Sequence, residues 1–479
     1  MPSSSGTSRG GFAPRRGRGG VTRPFAKPRV PVKLDTKMHP LGQLLQTYHA
    51  SDLTAGPKDL LLQASITGCE YVASYNWLCE ETPTVIIPGK PPQWTPPQVP
   101  QRLKEDDGQY FRDPNAAKYP AHPIAPVVHA VLDANPDFRT EDIDLFACGS
   151  TLGNLLRFVR GENKAFRFNV EIIGETVFLI RKENDPKELI QDVRGFGHTF
   201  PEAYTTWEKD VKGSETHQRI VQYEFGHLKC VVRFESDGYI KETSTSSRTS
   251  PSKSSSKAKE DDLLQAFQNS AISQPIHATS SSNEAIVIKR GGSKVPQHSI
   301  FDLKTRSGRY NREIDMNDIY PLLWIKQIPN FIIAYHDGRG MFHDIRVQDV
   351  KKDVQIWARN NANAIHRLST LLHKIIEITK NDEKGLLEVH FSGEGGLEIW
   401  SQHGEGVHAL PAELMKKWAG NATVLESTGC GASENDGKDE KHGAGHDSDR
   451  GWKADWDDED PDYTACTAED CGYCGKCTY

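Results

Sequence analysis

Two short stretches of this chain break apolar, strand-like runs with charge. In VVRFESDGY (231–239), period-two alternation sends Val232 and Phe234 to one face and projects Glu235 and Asp237 together from the other. In SIFDLKT (299–305) the same alternation puts Phe301 and Leu303 on one face and Asp302 with Lys304 on the opposite one. Burying such groups is costly unless they are paired or bind a metal. Paired acids beside a lysine suit phosphodiester hydrolysis. Carboxylate oxygens hold a hard cation such as Mg²⁺ or Mn²⁺, the cation activates water and neutralises developing phosphate charge, and a nearby ammonium orients that water. Taken singly, each motif is also what the outer face of an ordinary half-exposed strand carries. Their order, an E-x-D ending one strand and a D-x-K in a later one, is what points to a site.

Such a site needs a sheet to hold it. FRFNVEIIGETVFLI (166–180) reads as two strands around a turn at Gly174, and LKCVVRFESDGYI (228–240), AIVIK (285–289), SIFDLK (299–304) and NFIIAYH (330–336) are further strand candidates rich in Val, Ile and Phe. From Trp357 to Lys380, Ile365, Leu368, Leu372, Ile375 and Ile376 recur at helical spacing with charges opposite, which predicts a packed helix and not a cofactor site. The expected fold is α/β, a mixed central sheet flanked by helices. Asp237 and Asp302 are 65 residues apart, but a Ser/Lys-rich stretch at 242–283, containing STSSRTSPSKSSSKAKEDD, reads as an insertion between neighbouring strands.

The 479 residues carry a net charge of −7, distributed unevenly: +8 over residues 1–34 and −8 over 434–462. Four regions are expected: a disordered Arg/Gly-rich arm at 1–39, one α/β domain at 40–425, an acidic disordered tail at 426–465 and a Cys-rich motif at 466–479. In the arm, Arg9, Arg15, Arg16 and Arg18 lie among glycines, a composition that can track a phosphate backbone and stack on bases. A solubilising tail and an organellar presequence are the competing readings of the arm. No apolar run approaches bilayer length and no secretory hydrophobic stretch follows the first residues, so a soluble intracellular protein is expected, with no membrane association. Nucleus, cytoplasm and mitochondrion stay open as its compartment.

The order E…E-x-D…(D/E)-x-K resembles that of the PD-(D/E)XK nuclease superfamily, and over roughly residues 140–345 the context resembles the DXO family of RNA decapping and 5′-end exoribonucleases. LFACGSTLGNLL is similar to the family's early Arg-Gly-x-Leu segment, GFGHTFPEAY to its Gly-x-x-x-Glu segment, CVVRFESDGYI to the acidic-pair segment, and IFDLKTRS to the Glu-Leu-Lys-Thr segment. LLWIKQIPNFIIAYHDGRG resembles the stretch that carries the family's glutamine.

The resemblance implies a metal-dependent hydrolase that acts on RNA 5′ ends by decapping, pyrophosphohydrolysis or NAD-cap removal, with 5′–3′ exoribonuclease activity as an extension. It implies Glu202, Glu235, Asp237, Asp302 and the Leu303 carbonyl as ligands of one or two Mg²⁺ or Mn²⁺, with Lys304 and Gln327 joining Glu235 and Asp237 in catalysis and Arg306 in RNA binding. The chain also departs from the family: its early arginine falls at Gly149 or Ser150, where Arg157 or Arg160 are the candidate substitutes, and Asp302 stands for the usual Glu. The alternative is a catalytically silent RNA-binding protein on the same scaffold. Separately, Cys466, Cys471, Cys474 and Cys477 have spacings that suit one tetrahedral Zn²⁺, with exposed redox-active thiols as the other reading.

Overall fold

The computed structural model describes residues 34–53, 65–190, 193–241, 276–277, 286–308 and 313–420. The Arg/Gly arm up to residue 33, nearly all of the Ser-rich stretch, the acidic tail and the four C-terminal cysteines lie outside the described residues.

In chain order come strands β1 (Leu44–Tyr48), β2 (Ile66–Leu78), β3 (Thr84–Ile87) and β4 (Gln93–Trp94), then helices α1 (Pro114–Lys118) and α2 (Ala125–Ala134). Asp113 starts α1 by accepting hydrogen bonds from the backbone N–H groups of Asn115 and Ala116, with Pro114 pre-set for the first helical position. β5 (Leu145–Cys148) runs straight into α3 (Gly149–Val159), and β6 (Phe166–Ile173) and β7 (Thr176–Arg181) follow. β6 and β7 pair antiparallel around Gly174, whose φ of +61° suits a glycine, as the alternation predicts. After α4 (Thr199–Tyr204) and β8 (Thr205–Thr206) come β9 (Ser214–Phe225), β10 (Leu228–Glu235), β11 (Gly238–Tyr239), β12 (Ile276–His277), β13 (Val287–Arg290) and β14 (Ile300–Ser307). α5 (Met316–Lys326), β15 (Asn330–His336), β16 (Phe342–Asp349), α6 (Lys351–Asn360), α7 (Ala362–Asn381), β17 (Leu386–Phe391), β18 (Leu397–Ser401) and α8 (Ala412–Ala419) complete the described fold.

The helix expected from Trp357 to Lys380 is two helices: Asn361 separates them, so Trp357 belongs to α6 while the stripe Ile365, Leu368, Leu372, Ile375 and Ile376 is buried on α7. Both helices join the same apolar cluster, which is why their side-chain pattern runs on across the break.

The fold is mixed α/β, as expected, but built on two sheets. Twelve strands form the larger, in the order β1-β18-β17-β6-β7-β5-β10-β9-β2-β3-β13-β12, and six form the smaller, β16-β15-β14-β11-β4-β8. One face of the large sheet packs against α3, α5, α6 and α7 through residues such as Val232, Phe234, Leu323, Leu368 and Leu372. The other face takes α2 and α8 through Val127, Val131, Phe146, Phe178 and Trp418. The small sheet buries Phe301, Leu303 and Ile332 against Phe200 and Tyr204 of α4.

Two arrangements position the candidate site. First, β7, β5 and β10 are adjacent and mutually parallel, so their carboxyl ends open at one edge, beside the start of α3. Clefts at such strand ends are the usual ligand sites of parallel sheets. Second, the chain leaves the large sheet at Glu235 and enters the small one at Gly238, so that Ser236 and Asp237 span the junction. Gly238 then stands opposite Phe301, which brings the E-x-D segment against the D-x-K strand despite their separation in sequence.

Candidate functional site

β14 alternates as its sequence predicts. Phe301 and Leu303 face the α4 side, and Ile300 lies in the cluster on the opposite side, the side to which Asp302 and Lys304 belong by alternation. Asp302 and Lys304 are both buried, at 5% and 2% exposure. Lys326, the last residue of α5, reaches Asp302: its Nζ lies 3.0 Å from Oδ2, with 5% and 6% of the two side chains exposed. A cation suits that helix end, where unpaired carbonyls concentrate negative potential.

Asp237 has left the strand by the time it is reached, so it does not share a strand face with Glu235. It lies across the junction, where its Oδ2 accepts a 2.6 Å hydrogen bond from the Leu303 backbone N–H. This side-chain bond extends the contact between the two segments beyond the two paired positions of β11 and β14. Glu235 stays with the large sheet, opposite Gln218 of β9. Its Oε2 accepts from Gln218 Nε2 at 3.1 Å, and Gln218 Oε1 accepts from Arg233 Nη1 at 2.8 Å. The buried Gln218 amide thus relays between a cation and an anion on the same strand.

The cleft at the strand ends is lined by Asp113, Asn115, Ser150, Arg181, Arg233 and Lys326, together with Gly149 and Phe234. Asn115 is fixed there by Tyr75 Oη and Trp77 Nε1, which donate to its Oδ1 at 2.6 and 2.9 Å. Arg181 pairs with Glu183 at 2.6 Å. Burial opposes the Arg181 charge, but Glu183 and Asp113 outweigh it and raise its pKa. A Cβ placed on Gly149 would sit 3.4 Å from Phe234 Cβ and 3.7 Å from Lys326 Cγ, so the lysine stem runs close beneath the start of α3.

Arg157 and Arg160 lie elsewhere: both pair with Glu162, and they line a separate depression with Asp318. Arg233 and Arg181 line the same cleft as Gly149 and Ser150, the segment that lacks the early arginine. The only sequence signal for Arg233 is the charge it inserts between Val232 and Phe234.

Glu202 lies, exposed, on α4, whose Phe200 and Tyr204 pack on the Phe301 and Leu303 face of β14, the face opposite that of Asp302. The Glu202 pKa is raised by desolvation and by the neighbouring Asp106 carboxylate. Asp106 caps α4, accepting from the N–H groups of His198 and Thr199 at 3.0 and 2.9 Å. Gln327 adopts a left-handed conformation, φ 54°, and turns its amide back onto the Trp324 carbonyl of its own helix, so that its side chain caps α5. Leu303 pairs with Ile332 of β15, and Arg306, half-buried, lies opposite Tyr335 near the end of the same ladder.

His198 stacks on Tyr110 with ring centroids 3.3 Å apart, and burial pushes its pKa down to about 4, with Asp106 opposing. Folding therefore favours the neutral ring. Above pH ~6.5 both folded and unfolded chains hold it neutral; below that the unfolded chain takes up the proton first, and stability falls until about pH 4 at no more than ~1.4 kcal/mol per pH unit for this group. Urea midpoints of the wild type should accordingly drop more between pH 7 and 5 than those of His198→Phe, which keeps the stack. Equal drops would show that His198 does not contribute.

Mg²⁺ or Mn²⁺ is the cofactor implied by the motif order. Among the described residues, no group of three or more His, Cys, Asp or Glu comes together that could hold a metal ion. The donor set is also engaged: Asp302 holds Lys326, Asp237 holds the Leu303 N–H and Glu235 holds Gln218. As arranged, these residues do not fit a divalent cation. The structure joins Asp302 to Lys326 and Asp237 to the adjoining Leu303 N–H, holds Glu235 at the end of β10 against Gln218, and sets Glu202 beside Asp106 on α4.

Residues 51–399 match the family model described as "Domain of unknown function (DUF8563)". No curated protein matches the sequence. Among solved structures, the chain is similar to Scheffersomyces stipitis Rai1 in complex with (3′-NADP)⁺ and calcium ion, at 11% identity and a TM-score of 0.49 over 79% of this chain and 99% of that one. It is also similar to Candida albicans Rai1 in complex with pU5-Mn²⁺, at 9% identity and a TM-score of 0.46 over 78% and 98% of the two chains. K. lactis Dxo1 in complex with manganese matches at 8% identity and a TM-score of 0.41, over 80% of this chain and 100% of that one.

Proposed function

We propose, for a chain that belongs to the DUF8563 family, that it binds the phosphorylated 5′ end of RNA in the cleft at the carboxyl ends of β5, β7 and β10. One observation carries the reading: Arg181, Arg233 and Lys326 converge on that cleft against a single lining carboxylate, Asp113. Guanidinium groups offer paired, fixed donors to phosphate oxygens, and Gly149 and Ser150, the first residues of α3, line the same space, where a helix start favours an anion. RNA, as the source of the phosphate, is supported by the motif order along the sequence and by the Arg/Gly-rich residues 1–39.

A second reading, metal-dependent hydrolysis of the 5′ group, is favoured by the Asp237–Leu303 hydrogen bond, which joins the E-x-D and D-x-K segments. It requires Lys326 to leave Asp302.

Fluorescence anisotropy with RNAs bearing a 5′ triphosphate, monophosphate, cap, NAD cap or hydroxyl tests the proposal. Phosphorylated ends are expected to bind about tenfold tighter than the 5′-hydroxyl RNA, a difference of ~1.4 kcal/mol, and Arg233→Gln should erase most of that preference. Affinity should fall steeply with salt. Equal affinity for phosphorylated and hydroxyl ends would remove the reading. Release of the 5′ group by the wild type with Mn²⁺, lost in Asp237→Ala and Lys304→Ala, would establish the hydrolase instead.

A further inference from the structure

We infer that the Lys326 ammonium is a built-in cation occupying the place at Asp302 that a divalent metal ion would take, so that the carboxylate pair works in charge balance without a metal. The inference concerns the same site as the proposed function but stands without RNA.

The geometry supplies the argument. An ammonium is a compact point charge, and Nζ sits 3.0 Å from Asp302 Oδ2 with both side chains almost wholly buried. Its approach is prepared by the fold. α5 ends at Lys326 because Gln327 turns left-handed and caps the helix, and Gly149 presents no side chain to the lysine stem that passes it. A long side chain at 149 would share that space.

Charge counting points the same way. Asp237 and Asp302 meet across the β11–β14 pairing, Lys326 bonds Asp302, and Lys304 follows two residues along the same strand face. Buried Asp302 and half-buried Asp237 thus lie with two buried ammonium groups. The neighbouring Glu235 is balanced through Gln218 by Arg233. Among these residues the charges cancel, so they hold no surplus negative charge to offset the dehydration of Mg²⁺ or Mn²⁺, and an arriving dication meets repulsion from Lys326. Removing the Lys326 ammonium leaves two carboxylates against the one ammonium of Lys304, a net negative charge that recruits a cation.

The test is an electron paramagnetic resonance titration of the full chain with Mn²⁺, without RNA, on wild type, Asp302→Asn, Lys326→Gln and Lys326→Gln/Asp302→Asn. Uptake by wild type and Asp302→Asn is expected to coincide, so that any binding elsewhere in the chain cancels in the comparison. Lys326→Gln should gain one Mn²⁺ per chain, at least tenfold tighter than any wild-type uptake, and the added Asp302→Asn should abolish it. Wild-type uptake of one Mn²⁺ that Asp302→Asn removes would overturn the inference, as would a folded Lys326→Gln that gains none. Should Lys326→Gln fail to fold, the comparison of wild type with Asp302→Asn still decides.

Discussion

Lys326→Met is expected to lower the stability of the chain by about 3–5 kcal/mol, the usual cost of leaving one partner of a buried ion pair uncompensated. Asp302 is the partner left behind, on a central strand of the small sheet and 6% exposed at its side chain. It must then rely on its remaining contacts, protonate, draw in water or bind a cation, and each route costs free energy relative to the paired state. The double variant Lys326→Met/Asp302→Leu should recover most of the loss, because removing both charges leaves no unpaired group and an apolar replacement packs against the Phe331 and Ile333 side of the cluster. Urea midpoints read the difference. A single variant within ~1 kcal/mol of wild type, outside the cost expected for a buried pair, would mean that the pair is solvated in solution. The same single variant should also lose part of the preference for phosphorylated RNA, since Lys326 lines the cleft. Recovery of stability without recovery of RNA binding in the double variant would separate the two roles of this lysine.

Glu388→Leu is expected to have an effect of similar size, about 3–5 kcal/mol, at the other end of the large sheet. Glu388 on β17 is 1% exposed at its side chain and holds two cations, Arg167 of β6 and Lys182 at 2.9 Å. Arg167, fully buried, also donates to the backbone carbonyls of Asp35 and His39, which ties the first described segment to the sheet. Without Glu388 the guanidinium keeps only those carbonyl partners, and the β6–β17 pairing carries an uncompensated charge. Because the pair is shielded from solvent, raising the salt concentration should not reproduce or rescue the loss. Midpoints at low and high NaCl, for wild type and variant, check this. A variant that loses less than ~1 kcal/mol would show that this pair behaves as exposed ones do.

Several parts of this architecture were legible along the chain. β6, β10 and β14 were legible because apolar residues recur along them at period two, and β7 and β15 because they are short apolar runs rich in Val, Ile and Phe, as strands buried on both faces must be. The apolar stripe of α7 was legible for the same reason at helical period. The break at Asn361 was not, because α6 and α7 present their apolar residues to one shared cluster and the pattern runs on across the turn. Nor was the division into two sheets. Whether a strand continues in its own sheet or passes to another depends on backbone pairing, and the side-chain pattern of VVRFESDGY is the same in either case. That uncertainty is why Glu235 and Asp237 read as neighbours on one face, whereas Asp237 reaches across a junction to Leu303.

The candidate site divides along the same line. By residue type and order alone, the chain determined that a pair of acid-bearing segments would meet, with a polar stretch between them long enough to close the loop, and that a sheet with helices would hold them. Tertiary structure alone decided the company those acids keep. Lys326 on one helix and Arg181 on another strand have no periodic relation to the acids in the sequence, and they join Arg233, which alternation does place on the Glu235 face, because parallel strands end at a common edge and α5 stops there. Glu202 is carried away from that edge because α4 packs on the far side of the small sheet. The physical reason is general: periodicity reports which face a residue occupies, while the partner of a buried charge is fixed by which elements pack together, and that is a property of the whole fold.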